Sequence, residues 1–143
     1  MLQKTMFELM GGEAKLDGLL DEFFRRVQAD PDLGPLYPDD ISPIKAAYKD
    51  FAMEMLGGPK RWTQRHSDFR MHEAHRHIPI TEDRANAMIR CAKDAMNQFR
   101  IPKFVQEAAR QRLESVIYDL VNTPAATFAD PPAEKGDPPQ PWA

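Results

Sequence analysis

Along four stretches of this chain, apolar side chains recur every three or four residues, and each stretch is fenced by glycine, proline or a capping side chain. That spacing lines one face of an α-helix. Between residues 13 and 29 the stripe is Leu16, Leu19, Leu20, Phe23, Phe24 and Val27, after Gly11-Gly12 and before Asp30-Pro31. A second stripe, Ile41, Ile44, Tyr48, Phe51, Ala52 and Met55, is opened by Asp39-Asp40 or Ser42-Pro43 and closed by Gly57-Gly58-Pro59. Beyond Pro79, Thr81 is placed to cap a third helix carrying Ala85, Met88, Ile89, Ala92, Ala95, Met96 and Phe99. Pro102 opens a fourth, with Phe104, Ala108, Leu113, Val116, Ile117, Leu120 and Val121 on its stripe. Nowhere do four or more residues alternate apolar and polar in a β-branched setting bounded by turns. The predicted fold class is all-α.

At 143 residues the chain has room for one core. Six of its thirteen prolines fall in the last 22 residues, so the reading is a helical domain over residues 1–121 and a proline-rich, disordered tail over 122–143. The tail carries a charge of −2 of the chain's −3, which leaves the domain nearly neutral and without the basic stripe a nucleic acid would require. No apolar run approaches the roughly 20 residues of a membrane span, and the N-terminus lacks the pattern of a secretory signal. A lone cysteine, Cys91, forms no internal disulfide, and the expected compartment is the cytoplasm.

The connection from Lys60 to Ile78 is the anomaly. Helix connections usually span about 2 to 8 residues, and longer ones tend to be functional. This one has little apolar stripe and holds all four histidines, His66, His72, His75 and His77. Imidazole is a common metal ligand, yet clustered histidines are also ordinary solvated or hydrogen-bonded residues. His72, His75 and His77 leave a zinc site open as an alternative, although no HExxH or CxxC pattern accompanies them. Cys91 lies on the third helix, between Met88-Ile89 and Ala92, with no base near it in the pattern, which describes an inert thiol. Gly11-Gly12 and Gly57-Gly58 lack the context of a phosphate loop and read as backbone punctuation.

The order of these features resembles a truncated haemoglobin. A glycine pair precedes a long helix containing Phe23-Phe24; Leu36-Tyr37-Pro38 follows; then come Gly57-Gly58-Pro59, His75, Pro79-Ile80 and a helix with Met88-Ile89-Arg90-Cys91. The likeness spans residues 6–122 and is closest to the second group of that family, through Trp62, Arg65, Arg70 and His75. It implies a two-over-two helical sandwich around haem b, with His75 as the axial iron ligand and Trp62, Arg65 and Arg70 near the haem edge, where arginine can pair with a propionate. His72 or His77 would compete as ligand if the register slipped by a turn.

On the distal side the sequence departs from the family. The second group usually offers a tyrosine on the first long helix and a tryptophan on the third as donors to the bound ligand; here those positions hold Phe24 and Met88, which cannot donate. Tyr48 on the second helix and Tyr37 are the replacement donors the sequence offers, with Phe24, Ile44, Phe51 and Met88 as apolar wall. A packed core role competes for Tyr48. The implied function is binding of oxygen, carbon monoxide or nitric oxide at the distal iron site, with redox or peroxidase-like turnover left open because no acid–base pair is evident and an external reductase would have to supply electrons. A haem-based sensor or interaction module, and a globin-like protein that has lost haem, are the alternatives. Oligomeric state is not legible in the chain.

Overall fold

The first stripe forms the central helix of the molecule. In a computed structural model that describes residues 3–65 and 75–124, helix α2 (Gly12–Ala29) buries Leu16, Leu20, Phe23, Phe24 and Val27 along one face. A short helix α1 (Met6–Met10) precedes it, capped by the Thr5 hydroxyl accepting from Glu8 N–H at 3.2 Å. Asp30 ends α2 as its sequence suggests: its carboxylate accepts from the N–H groups of Asp32 and Leu33 at 2.8 and 3.1 Å. This side-chain turn folds the chain into a 3-10 turn, Gly34–Leu36, that delivers Tyr37 to the interior.

Helix α3 (Ser42–Met55) starts with proline in its first turn and buries Ile44, Ala47, Asp50 and Met53. Its end is built from the glycine pair. Gly57 N–H donates to Glu54 O at 3.0 Å and Gly58 N–H to Met53 O at 2.8 Å, a Schellman closure that requires the left-handed backbone Gly57 adopts at φ 85°. Helix α4 (Arg61–Arg65) then occupies the start of the stretch that had no readable stripe. It is too short to repeat a period, and Trp62 is its one buried residue. Helix α5 (Glu82–Gln98) is capped by the Thr81 hydroxyl, which accepts from Arg84 N–H at 3.2 Å, with Glu82 and Asp83 complementing the dipole in its first turn. Helix α6 (Lys103–Asp119) follows Pro102. There is no strand among the described residues.

Two helix pairs result, α2 with α3 and α5 with α6, joined where α2 packs on α5. Helix α1 bridges from α2 to α6, and α4 leans on α3. The α2–α3 seam is laced at the surface by Lys49, 2.8 Å from both Glu13 and Asp17, and by Arg61, 3.0 Å from Glu13. Hydrogen bonds from Lys49 and Arg61 hold the Glu13 carboxyl down at about 2. Being solvent-exposed, these pairs orient the helices more than they stabilise them. The all-helical expectation and the four long helices are borne out.

Gly58 tests how tightly the α3 closure is packed. A methyl group there would lie 2.8 Å from the Phe7 ring and 3.0 Å from Met53 O. Overpacking of this kind costs about 1–3 kcal/mol. Gly58→Ala is expected to lower the urea midpoint with an unchanged slope. A wild-type midpoint would show that Phe7 moves aside freely.

Candidate functional site

Between the helix pairs lies an apolar cavity of about 210 Å³ whose lining includes Tyr37, Tyr48, Phe51, Trp62, His75 and Met88. Its lining is otherwise hydrocarbon, apart from Arg84 and the sulfur atoms of its methionines. Polar chemistry is therefore confined to two phenols, an indole, an imidazole and a guanidinium.

The phenols are brought together by two different elements. Tyr37 comes from the turn after α2 and Tyr48 from α3, and their hydroxyl oxygens lie 3.1 Å apart. Phe24, itself 1% exposed, packs behind both, with its ring centroid 5.1 Å from that of Tyr48 and 6.1 Å from that of Tyr37. Burial pushes both phenols above the ordinary tyrosine range. For Tyr37 the neighbouring Tyr48 adds to that rise, whereas for Tyr48 the hydrogen bond from Tyr37 opposes it. Either hydroxyl can be the donor within the pair. One hydroxyl hydrogen is used between the two oxygens, and the second remains to be directed elsewhere.

His75 belongs to the segment leading into α5. Its carbonyl accepts from Ile78 N–H at 2.9 Å, closing a turn, and from the side-chain amide of Asn122 at 3.1 Å. Arg84, in the first turn of α5, donates from Nη1 to Pro79 O at 2.7 Å, while its buried Nε has no hydrogen-bond partner among the described residues. Trp62 stands edge-on to Phe51 with ring centroids 5.4 Å apart. Cys91 is buried near Tyr37, and burial raises its thiol pKa, the opposite of nucleophile activation.

The structure therefore gathers Tyr37, Tyr48, Phe51, Trp62, His75 and Met88 around one cavity. Phe24 supports the phenols from behind, and Ile44 is buried in the core without lining the cavity. Arg65 is turned to the surface, its guanidinium 3.1 Å from both carboxylate oxygens of Asp50. His77 is exposed, its Nε2 accepting from Arg76 Nε at 3.3 Å. Arg70, His66 and His72 lie outside the described residues. Among the described residues no three His, Cys, Asp or Glu side chains cluster as a metal site would require. Arg84 and Asn122 had no signal in the pattern: an arginine in a first helical turn and an asparagine before Thr123-Pro124 both look like solvated positions.

Residues 5–122 match the family model described as bacterial-like globin. The chain belongs to that family, a family of haem-binding proteins. Its relatives narrow the class. It is 35% identical over 111 residues to the group 2 truncated haemoglobin YjbI of Bacillus subtilis, covering 78% of this chain and 84% of that one. The group II truncated haemoglobin of Bacillus anthracis superposes with a TM-score of 0.83 at 33% identity, over 90% of this chain and 98% of the other. The truncated oxygen-avid haemoglobin of Bacillus subtilis gives a TM-score of 0.76 at 33% identity, over 83% and 100%. The likeness to a truncated haemoglobin of the second group is borne out.

Because Tyr37 and Tyr48 hold their protons in the folded state past the ordinary value of about 10, the unfolded chain releases those protons first. Their contribution is whole below that value and is lost as pH rises above it. Stability is expected to fall on the alkaline side, and the Tyr37→Phe/Tyr48→Phe double variant should flatten that limb in urea titrations. An equally steep limb in the double variant would place these phenols in ordinary solvent.

Proposed function

We propose that this protein binds haem b through His75 and meets a diatomic ligand with the hydroxyl of Tyr48. The cavity suits that group: hydrocarbon walls accept the porphyrin ring, an imidazole supplies an axial nitrogen, and Arg84 offers a buried, unsatisfied Nε to a propionate carboxylate. Bound haem would supply an iron centre that takes oxygen, carbon monoxide or nitric oxide.

The observation that carries the distal reading is the 3.1 Å contact between the Tyr37 and Tyr48 oxygens on an otherwise apolar wall. With Tyr37 as donor, the contact orients the Tyr48 hydroxyl and leaves its hydrogen for a ligand in the cavity. Phe24 and Met88 occupy the positions where the resemblance places donors, and Phe24 instead braces both phenols. The donor function moves from α2 and α5 to α3 and the turn before it. Phe51, Trp62 and Met88 complete the lining beside the phenols. An oxygen-avid relative is in keeping with oxygen as the ligand. The proposed location is the cytoplasm, and any turnover of nitric oxide or peroxide would draw electrons from an external reductase.

A hydrogen bond to a charged acceptor is worth about 1.5–3 kcal/mol, so Tyr48→Phe is expected to speed oxygen dissociation by about 10- to 150-fold while leaving carbon monoxide release nearly unchanged. Stopped-flow ligand replacement measures both. An unaltered oxygen rate would remove Tyr48 from the distal site. His75→Ala is expected to abolish or displace the haem absorption bands, and a wild-type spectrum in that variant would transfer the axial role to another residue.

A further inference from the structure

Just beyond α6, Asn122 is bonded to the His75 segment through both its side chain and its backbone. Its side-chain nitrogen donates to two carbonyls, His75 O at 3.1 Å and Ile78 O at 3.0 Å, and its side-chain oxygen accepts from Ile80 N–H at 2.9 Å. Its backbone N–H and that of Thr123 both reach Ile80 O, at 3.0 and 3.1 Å. From the other side, Arg84 on α5 holds Pro79 O. The segment between His75 and Thr81 is not helical after its first residue, so its course is set by these external bonds.

We propose that Asn122 is the positioning residue for His75. Two donors and one acceptor on a single flat amide match two carbonyls and one N–H of the same six-residue stretch, a pattern that neither a carboxylate nor a hydroxyl reproduces. An aspartate keeps the acceptor for Ile80 but sets negative charge against both carbonyls. Since the imidazole takes its direction from its own backbone, the clamp fixes where the His75 ring enters the cavity. The inference rests on the reading of His75 as axial ligand, and it adds the device that aims it.

The test uses the full chain with Asn122→Ala and Asn122→Asp, each with two readouts. In the protein before haem addition, amide exchange at Ile80 is expected to accelerate by about tenfold or more as its acceptor is lost in Asn122→Ala. In the haem-loaded ferrous protein, the iron–histidine stretching band is expected to shift or broaden in both variants, and haem loss to accelerate by about tenfold. Tyr118→Phe is the control, because it removes a hydrogen bond from Tyr118 to Asn86 at the same α5–α6 seam without touching His75. It should alter thermal stability and leave the band in place. If Asn122→Ala does not fold, Asn122→Asp carries the test. An unmoved band and an unchanged rate of haem loss in the folded variants overturn the clamp while the haem reading stands. A wild-type protein that takes no haem, or a band that survives His75→Ala, overturns the axial reading and the clamp with it.

Discussion

The site depends on the way two helix pairs meet without closing. Where α2 packs on α5, Phe24, Val27 and Ala95 are buried in one core cluster, and beside it the pairs leave an apolar cavity of about 210 Å³. A hydrophobic group bound there would therefore act as part of the core. Binding and folding are coupled by construction, and residues that shape the cavity serve both.

Within that apolar setting, each polar atom has a large effect because water does not compete with it. In the proposed site, the Tyr37–Tyr48 pair would supply the donor that the resemblance expects from α2 or α5. A hydroxyl on α2 is absent, yet the Phe24 ring in its place packs against both phenols and helps hold them at 3.1 Å. Asp30 contributes at a distance, since the turn its carboxylate organises is what carries Tyr37 inward. On the other wall, Asn122 from just beyond α6 and Arg84 from α5 hold main-chain atoms and so fix the course of the His75 segment.

How much of this was legible depended on the range of each interaction. Helices α2, α3, α5 and α6 were readable because each repeats its stripe over at least three turns and carries local stop signals, down to the Thr81 cap and the Gly57-Gly58 closure. Helices α1 and α4, at five residues each, cannot show a period, although Thr5 and Glu8 three residues apart were a usable cue for α1. His75, Tyr37 and Tyr48 could be named from residue type and family likeness. That the phenols touch, that Arg65 turns away to Asp50, and that Asn122 grips the His75 segment are contacts across 11, 15 and 47 residues. Such pairings follow from packing and leave no periodic trace in the chain.

The most direct measurement is a haemin titration of the purified 143-residue chain, followed by absorption of the ferric, ferrous and carbon monoxide forms and by the thermal midpoint. Saturation at one haem per chain, a carbonmonoxy spectrum typical of histidine-ligated haem, and a midpoint that climbs with occupancy are the expected results. A folded protein that takes up no haem, or takes it up with no gain in midpoint, would contradict the assignment of the cavity.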